Sequence, residues 1–151
     1  KAIEVGYHPE MILAGRKLND NMGTHIAEQV TQLMTKKNIH VIGSKILIMG
    51  LTFKENCPDI RNTRIVDLIK EFEGNHCNVD VYDPWANQEE VLNEYGIKLI
   101  NYPAKDTYDA ILLAVAHDEF KALSLEKIKA YGRKSHVVQG IRRGGCFPYL
   151  S

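Results

Sequence analysis

The segment from Gly50 to Arg64, GLTFKENCPDIRNTR, concentrates the side chains of this sequence that are best suited to binding an anion. Lys54, Arg61 and Arg64 can each donate charge-assisted hydrogen bonds to phosphate oxygens. The segment follows an apolar run and leads into a helical pattern, so unpaired backbone N–H groups and the helix dipole at about Asn62 to Ile65 would also attract a phosphate. We therefore predict an anion site in this loop.

The same residues also have a purely structural explanation, which the pattern leaves open. Asp59 could pair with Arg61, Asn62 or Thr63 could cap the following helix, and Lys54 could be solvated. Neither the GxGxxG fingerprint of dinucleotide-binding folds nor the GxxxxGK[ST] pattern of P-loops occurs in the sequence. The loop therefore belongs to neither of these usual phosphate-binding motifs.

Alternating strand and helix patterns position this loop. The predicted strands are Lys45 to Met49 (KILIM), Val79 to Tyr82, a short one at Lys98 to Ile100, Asp109 to Val115 and His136 to Val138, and the predicted helices are Thr63 to Phe72, Asn87 to Tyr95 and Leu123 to Tyr131. Apolar strands separated by helices are typical of a mainly parallel sheet covered on both faces. We predict a Rossmann-like α/β domain over residues 41–151, with ligands beyond the carboxyl ends of its strands.

A long helix is predicted before this domain, from Pro9 to Lys37, in a region spanning residues 1–40. Its apolar positions recur three and four residues apart, at Met11, Gly15, Leu18, Met22, Ile26, Val30 and Leu33. Such a helix would run roughly 40 Å, which is more than a small α/β domain needs to cover its own sheet. We therefore expect part of its apolar side to contact a second copy of the chain or another domain.

Composition excludes several classes of partner. Lysine plus arginine and aspartate plus glutamate number 19 each, so no overall field attracts a nucleic acid or an anionic membrane. The three cysteines lack the spacing of a disulfide framework or a zinc site, and we expect no metal. No apolar run approaches the roughly 18 residues of a membrane span. A cytoplasmic protein fits these features.

Three further residues have competing interpretations. Asp83, after the second strand, could bind a ribose diol, but the pair Asp83-Pro84 is more typical of a turn. His117 could contact a substrate at the ligand-facing edge of the sheet, although Asp118 capping the next helix explains the pair more simply. Cys57 lies near the cations of the loop, where a thiol can become reactive, but it is more simply explained as a residue without a chemical role.

Three segments of the sequence, in order, resemble the carboxyl-terminal half of the UDP-glucose/GDP-mannose dehydrogenase family. They are GYHPEMILAGRKLNDNM (Gly6 to Met22), GLTFKENCPDIRNTR, and VDVYDPWA (Val79 to Ala86). In detail they are most similar to the bacterial branch that oxidises UDP-N-acetylhexosamines for surface polysaccharide. The resemblance covers nearly the whole chain except about its last dozen residues.

The resemblance implies an NAD-dependent enzyme that oxidises the sugar C6 alcohol to a carboxylate. This chain would supply the central helix that forms the homodimer and the carboxyl-terminal domain that helps to hold the UDP part of the substrate. The family's FK pair lies on the nucleotide-sugar and maps to Phe53 and Lys54. The arginine of its DxR pattern reaches towards the NAD cofactor and maps to Arg61.

We expect no catalytic residue in this chain, because the family's nucleophilic cysteine lies in a Gly-Gly-x-Cys-(Phe/Ile)-Pro motif that would precede Lys1. The segment from Gly144 to Pro148, GGCFP, imitates that motif but lacks one residue and lies at the opposite end of the chain. The closing QGIRRGGCFPYLS also departs from the family's pattern, so no role is carried over to Arg142 or Arg143.

Two functions of different classes fit the sequence. The chain is either part of a nucleotide-sugar dehydrogenase that binds substrate without turning it over alone, or a separate dimerising module that senses nucleotides. Because the sequence starts at Lys1 rather than at a methionine and lacks the nucleophile's motif, we favour part of a longer enzyme.

Overall fold

The computed structural model describes residues 22–61, 63–115 and 117–140. Along these ranges the elements are helix α1 (Met22–Lys36), strand β1 (Lys45–Met49), helix α2 (Ile65–Gly74), strand β2 (Asn78–Tyr82), helix α3 (Gln88–Tyr95), strand β3 (Tyr108–Leu113), helices α4 (Asp118–Lys121) and α5 (Leu125–Lys129), and strand β4 (Gly132–Gly140).

The four strands form one sheet in the order β2-β1-β3-β4, and every neighbouring pair is parallel. The chain leaves β1 towards β2 on one side and returns to β3 on the other, so the strand order reverses between β1 and β3. In open sheets of this kind the crevice beyond the carboxyl ends of those two strands is the usual place for a ligand. The loop that begins at Gly50 starts at this position, as the sequence predicts.

Both faces of the sheet are covered, as the sequence also predicts. Successive residues of a strand point to opposite faces, so Ile46 and Ile48 join the core beneath α1, α2 and α3, whereas Leu47 and Met49 join the core beneath α4 and α5. All four of these side chains are fully buried. Burying a side chain of this size contributes about 1.5–3 kcal/mol, and this explains why the strands read as continuous apolar runs.

Helix α1 packs its apolar side against the chain's own core. Ile26, Ala27, Val30 and Met34 are buried together with residues of α2 and the sheet. The approach is close, since a Cβ added to Gly23 would lie 3.0 Å from the backbone of Asp67 and Leu68 in α2. The apolar side of Met22–Lys36 is therefore covered within the chain, and the expectation that part of the long helix contacts another chain or domain stays a prediction for the rest of it. Residues 9–21 of the predicted helix lie outside the described residues.

Several helices and strands begin or end at other residues than predicted, and local hydrogen bonds explain where. Asn87 is the cap of α3, where its side chain accepts from the N–H of Glu90. The predicted helix from Leu123 to Tyr131 shortens to α5, capped by Ser124, and the short α4 precedes it. The predicted strand at Lys98 to Ile100 does not form. Its one link to the sheet is the N–H of Ile100, which donates to the carbonyl of Val81 at 2.9 Å.

Gly50 makes the turn out of β1 possible. Its φ of +106° is a conformation that residues with a Cβ rarely adopt. Its N–H donates to the carbonyl of Tyr82 at 2.8 Å. A Cβ at this position would lie 2.6 Å from the Cβ of Val115 and 2.7 Å from its backbone nitrogen. The close approach of the segment after β3 therefore requires glycine as much as the turn does.

We predict that Gly50→Ala lowers the free energy of unfolding by about 3 kcal/mol or more, because it combines backbone strain with a clash against Val115. Gly96→Ala is the matched control, since Gly96 also has a positive φ, of +70°, but no heavy atom lies within 4 Å of an added Cβ. We expect this control to cost about 1–2 kcal/mol. Urea unfolding measures both values, and equal losses would contradict the role given to the Val115 contact.

Candidate functional site

The structure places the three predicted site residues on one exposed loop at the carboxyl end of β1. Phe53 is exposed to 36% although it is a large apolar side chain, and Lys54 beside it is exposed. Arg61 lies further along the same loop, and its side chain is 84% exposed. The loop thus exposes an aromatic ring and two cations near the crevice between β1 and β3, where the strand order reverses.

Asp83, the first residue after β2, fixes the start of this loop. Its carboxylate Oδ2 accepts the N–H of Leu51 at 2.6 Å and the N–H of Thr52 at 3.0 Å. The other oxygen, Oδ1, accepts the N–H of Trp85 at 2.8 Å, which is the turn that the sequence predicts for Asp83-Pro84. The side chain of Asp83 is fully buried, so these donors replace the water that the charge would otherwise need.

His117 joins Asp83 from the segment that follows β3. The histidine side chain is fully buried, and its Nε2 lies 3.0 Å from Oδ1 and 3.1 Å from Oδ2 of Asp83. Burial of the Asp83 carboxyl opposes its ionisation, but the hydrogen bonds from His117 and from the Leu51 and Thr52 amides outweigh this effect and hold the pKa of Asp83 below its usual value. The residue is therefore a buried carboxylate at neutral pH.

Several backbone N–H groups of the loop have acceptors inside the protein. Besides the amides that Asp83 binds, Phe53 donates to the carbonyl of Asp59 at 2.7 Å, and Asn56 donates to Nδ1 of His117 at 2.9 Å. At the helix end, Ile65 donates to the hydroxyl of Thr63 at 3.2 Å. These particular amides are not available to an anion, whereas an anion at the helix end from Asn62 to Arg64 stays a prediction.

Arg61 forms a fork-like ion pair with Asp59. Its Nε donates to Oδ1 and its Nη2 donates to Oδ2 of the carboxylate, both at 3.0 Å. The side-chain and backbone hydrogen bonds from Arg61 lower the pKa of Asp59 to about 2. The sequence left this pairing open as an alternative to phosphate binding. The guanidinium has five N–H donors in total, so the pair leaves part of its donor capacity for another acceptor.

Two grooves near the carboxyl end of the sheet differ in charge. One lies between the loop and α3, and its lining includes Arg61 together with the carboxyl groups of Asp59, Glu90 and Glu94. The other lies at the end of β2, between Tyr82 and Tyr102, and includes the amides of Gln88 and Asn101. The acidic side chains of the first groove would repel a diphosphate. Phe53 and Lys54 are in neither lining.

The other residues that the sequence raised as candidates are not placed to bind a ligand directly or lie outside the described residues. His117 is buried and both of its ring nitrogens have partners, so it does not reach a ligand in this structure. Asp118 does not cap α4, because it is the first residue of the helix and its N–H donates to Oδ1 of Asn56 at 2.9 Å. Cys57 is a half-buried free thiol in the lining of the acidic groove. Arg142, Arg143 and the segment from Gly144 to Pro148 lie outside the described residues.

The sequence signals Asp83 and His117 only weakly, although they organise the loop. Asp83 comes directly after β2 and His117 follows β3 within a few residues, at the end of a parallel sheet where side chains gather. That placement could have suggested their contact, but the spacing of 34 residues between them carries no pattern of its own.

Among the described residues, no group of three or more His, Cys, Asp or Glu side chains could hold a metal ion, and no helix there has the length and apolar character of a membrane span.

The fold is that of a Rossmann-like α/β domain with a parallel sheet, and sequence comparison gives its family. The UDP binding domain of the UDP-glucose/GDP-mannose dehydrogenase family matches residues 47–143. The chain therefore belongs to this family. It is 49% identical over 142 residues to UDP-N-acetyl-D-glucosamine 6-dehydrogenase of Pseudomonas aeruginosa and 51% identical over 142 residues to the protein of that name from Salmonella typhi. The resemblance inferred from the three segments is confirmed.

Both alignments cover 94% of the chain but only 34% and 33% of those relatives. The chain thus spans about one third of the length of the curated relatives it matches. Among solved structures, a UDP-D-ManNAc dehydrogenase from Pyrococcus horikoshii is similar with a TM-score of 0.63 and 23% identity, over 83% of this chain and 32% of that one. A UDP-glucose dehydrogenase from Pyrobaculum islandicum gives 0.61 and 20% over 85% of this chain and 28% of that one. These two likenesses support the fold.

We predict that Asp83→Asn lowers the free energy of unfolding by about 3 kcal/mol near neutral pH, because one carboxylate oxygen is replaced by a donor that faces other donors. The control is Asp67→Asn, whose carboxylate is 47% exposed and pairs with Arg64 at 3.7 Å, and it should cost less than about 1 kcal/mol. Urea unfolding at several pH values checks both.

The loss of stability caused by Asp83→Asn should depend on pH in a defined direction. The folded pKa of Asp83 is depressed, so its ionised form contributes stability above the pKa of the unfolded chain, and this contribution is lost as the pH falls below about 4. The difference between the parent chain and Asp83→Asn should therefore shrink in acid. A difference that stays constant from pH 7 to pH 3 would contradict the ionised state assigned to this carboxyl.

Proposed function

We propose that this chain contributes the UDP-sugar-binding wall of an NAD-dependent nucleotide-sugar 6-dehydrogenase in the cytoplasm. That enzyme would oxidise the C6 alcohol of a UDP-sugar to a uronic acid for the synthesis of surface polysaccharide. The observation that carries the proposal is the exposed Phe53-Lys54 pair, at the carboxyl end of β1 within the segment that matches the family's UDP binding domain. The names of the two curated relatives quoted above support the substrate class.

Phe53 and Lys54 would divide the work of binding between them. Lysine is a compact point charge on a flexible stem, which suits oxygens of a diphosphate or a sugar whose positions vary. The aromatic ring of Phe53 supplies an apolar surface for the body of the nucleotide-sugar. Both groups are exposed here, which is expected of a wall that a ligand covers only when another part of the enzyme closes over it.

Arg61 is the residue that we assign to the NAD side. Its fork geometry suits bidentate binding of a phosphate, and its exposed guanidinium fits this role, although Asp59 already takes two of its donors. NAD, when bound, would accept the hydride removed from the sugar. Within the NAD site, this chain would contribute only Arg61, which would bind and orient a phosphate of the cofactor. The sequence contains no dinucleotide-binding fingerprint of its own.

We assign no catalytic residue to this chain, and we infer that it is inactive alone. The two requirements that the family implies, a dinucleotide-binding motif and a Gly-Gly-x-Cys motif, do not occur in its 151 residues. Binding without turnover is therefore the property that the chain itself should show.

We also propose a homodimer that forms through the long helix. The described part, Met22–Lys36, buries its apolar side in the chain's own core, so the support comes from the apolar positions predicted before it, including Met11, Gly15 and Leu18. The division of the chain into a dimerisation region of residues 1–40 and a UDP-binding domain of residues 41–151 belongs to the same proposal.

We predict that the chain binds UDP weakly, with a Kd of about 1 mM, because an open wall buries little of the ligand. Lys54→Ala should weaken binding by about tenfold, through loss of one charge-assisted hydrogen bond. A titration with UDP, followed by amide signals in NMR spectra, measures both constants.

Lys105→Ala is the control for this titration, because Lys105 is also exposed but lies just before β3, at the opposite edge of the sheet. Its Kd should stay within about twofold of the parent value. If Lys54→Ala binds UDP as well as Lys105→Ala does, the loop is not the binding site.

For the dimer, we predict that Leu18→Asp shifts the chain from two copies towards one in sedimentation experiments at micromolar concentration, because it places a charge on the predicted apolar row. Lys17→Asp introduces the same side chain off that row and should leave the assembly intact. A parent chain that sediments as a single copy would refute the proposed homodimer.

A further inference from the structure

The loop after β1 is held at two points, and the residues proposed to bind substrate lie between them. The first point is Asp83, which binds the amides of Leu51 and Thr52. The second is His117, whose Nδ1 accepts the N–H of Asn56 at 2.9 Å. Phe53 and Lys54 occupy the turn between these anchors. The exposure of these two side chains therefore depends on Asp83 and His117, which are themselves buried.

The protonation state of His117 follows from these contacts. A backbone N–H can only donate, so Nδ1 of His117 must be the bare nitrogen that accepts from Asn56. The proton of the neutral ring then lies on Nε2, which faces both oxygens of Asp83 at 3.0 and 3.1 Å. The hydroxyl of Thr52 lies 3.2 Å from the same Nε2 and donates its own hydrogen to the carbonyl of Lys54 at 3.0 Å. Each donor in this cluster thus has an acceptor.

The surroundings hold the imidazole ring in place. Trp85 stacks at 6.0 Å between ring centroids, and Phe120 lies at 5.4 Å. The indole N–H of Trp85 donates to Glu119 of α4 at 2.8 Å, so the segment after β2 is tied to the helix that follows His117. Asn56 completes the connection, because its side chain accepts the N–H of Asp118. It also adopts a φ of +54°, which an isolated loop would seldom keep.

We propose that His117 is a positioning residue for the nucleotide-binding loop: it joins Asp83 to the Asn56 amide, and so sets the placement of Phe53 and Lys54 without touching the ligand. This inference rests on the proposed function for the effect on binding. The placement of the loop can be measured without any ligand, so the two can fail separately.

Two conservative substitutions separate the two sides of the imidazole. The amide of a glutamine lies near the Nε2 position of a histidine, so His117→Gln keeps a donor for Asp83 and loses the acceptor for Asn56. The amide of an asparagine lies near the Nδ1 position, so His117→Asn offers its oxygen to the Asn56 N–H. A general loss of packing would affect both variants, whereas the positioning role predicts that they differ.

The first experiment is amide hydrogen exchange in the full 151-residue chain. We expect the Asn56 amide to exchange about tenfold faster in His117→Gln than in the parent, and His117→Asn to recover most of that protection. The second experiment is UDP titration, in which His117→Gln should weaken binding about three- to tenfold, with His117→Asn close to the parent. Similar exchange rates for Asn56 in parent and His117→Gln would overturn the proposal.

A measurement on the unsubstituted chain keeps the test decisive if either variant fails to fold. The nitrogen-15 shifts of the His117 ring report which nitrogen carries the proton, and the proposal requires a proton on Nε2 and none on Nδ1 at neutral pH. A ring protonated at Nδ1 would overturn it. If UDP does not bind the parent chain at all while the exchange results hold, the proposed function fails and the positioning of the loop stands.

Discussion

The buried carboxylate of Asp83 is the interaction on which the rest of this site depends. It gathers the amides of Leu51 and Thr52 in the loop after β1, the amide that turns the chain after β2, and the histidine that follows β3. An ionised group buried in this way is stable only with a full set of donors. The ends of three neighbouring strands must therefore come together around one side chain, and the sheet order β2-β1-β3 permits this.

This arrangement changes how the loop is understood as a binding element. A phosphate-binding loop commonly offers its backbone amides and a helix end to the ligand. In this chain the amides of Leu51 and Thr52 bind an internal carboxylate and the amide of Asn56 binds an internal histidine, while the side chains of Phe53 and Lys54 are exposed to solvent. Specificity for a ligand would then depend on the lysine and the aromatic ring, while the scaffold beneath them supplies rigidity.

Much of the fold is predictable from the sequence, because apolar runs and turn residues act locally. The strand KILIM is buried at nearly every position, and Asn87 caps α3 through its own side chain. The loop could also be placed at the sheet edge from its order along the chain. Its internal contacts could not, because the link between His117 and Asn56 joins residues 61 apart and depends on the strand order. The predicted strand at Lys98 to Ile100 fails for a related reason, since a three-residue run has the composition of a strand without a partner to pair with along its length.

Helix α1 shows what a periodic pattern leaves undetermined, because its apolar side is buried within the chain itself. A stripe of Ile26, Val30 and Met34 predicts burial in any context, but it does not say whether the covering surface belongs to the same chain. Close packing at Gly23 against α2 decides this for Met22–Lys36.

The two anchors of the loop also limit how its length can vary. With the amides of Leu51 and Thr52 bound to Asp83, and the amide of Asn56 bound to His117, the span between them has no slack for an added or deleted residue. Beyond Asn56 the chain runs along an open groove through Pro58 and Ile60. This second stretch is held as well, because the N–H of Phe53 binds the carbonyl of Asp59 and the buried Ile60 accepts the hydroxyl of Tyr95. Adaptation of such a loop to a different ligand is therefore confined to exchanging one side chain for another.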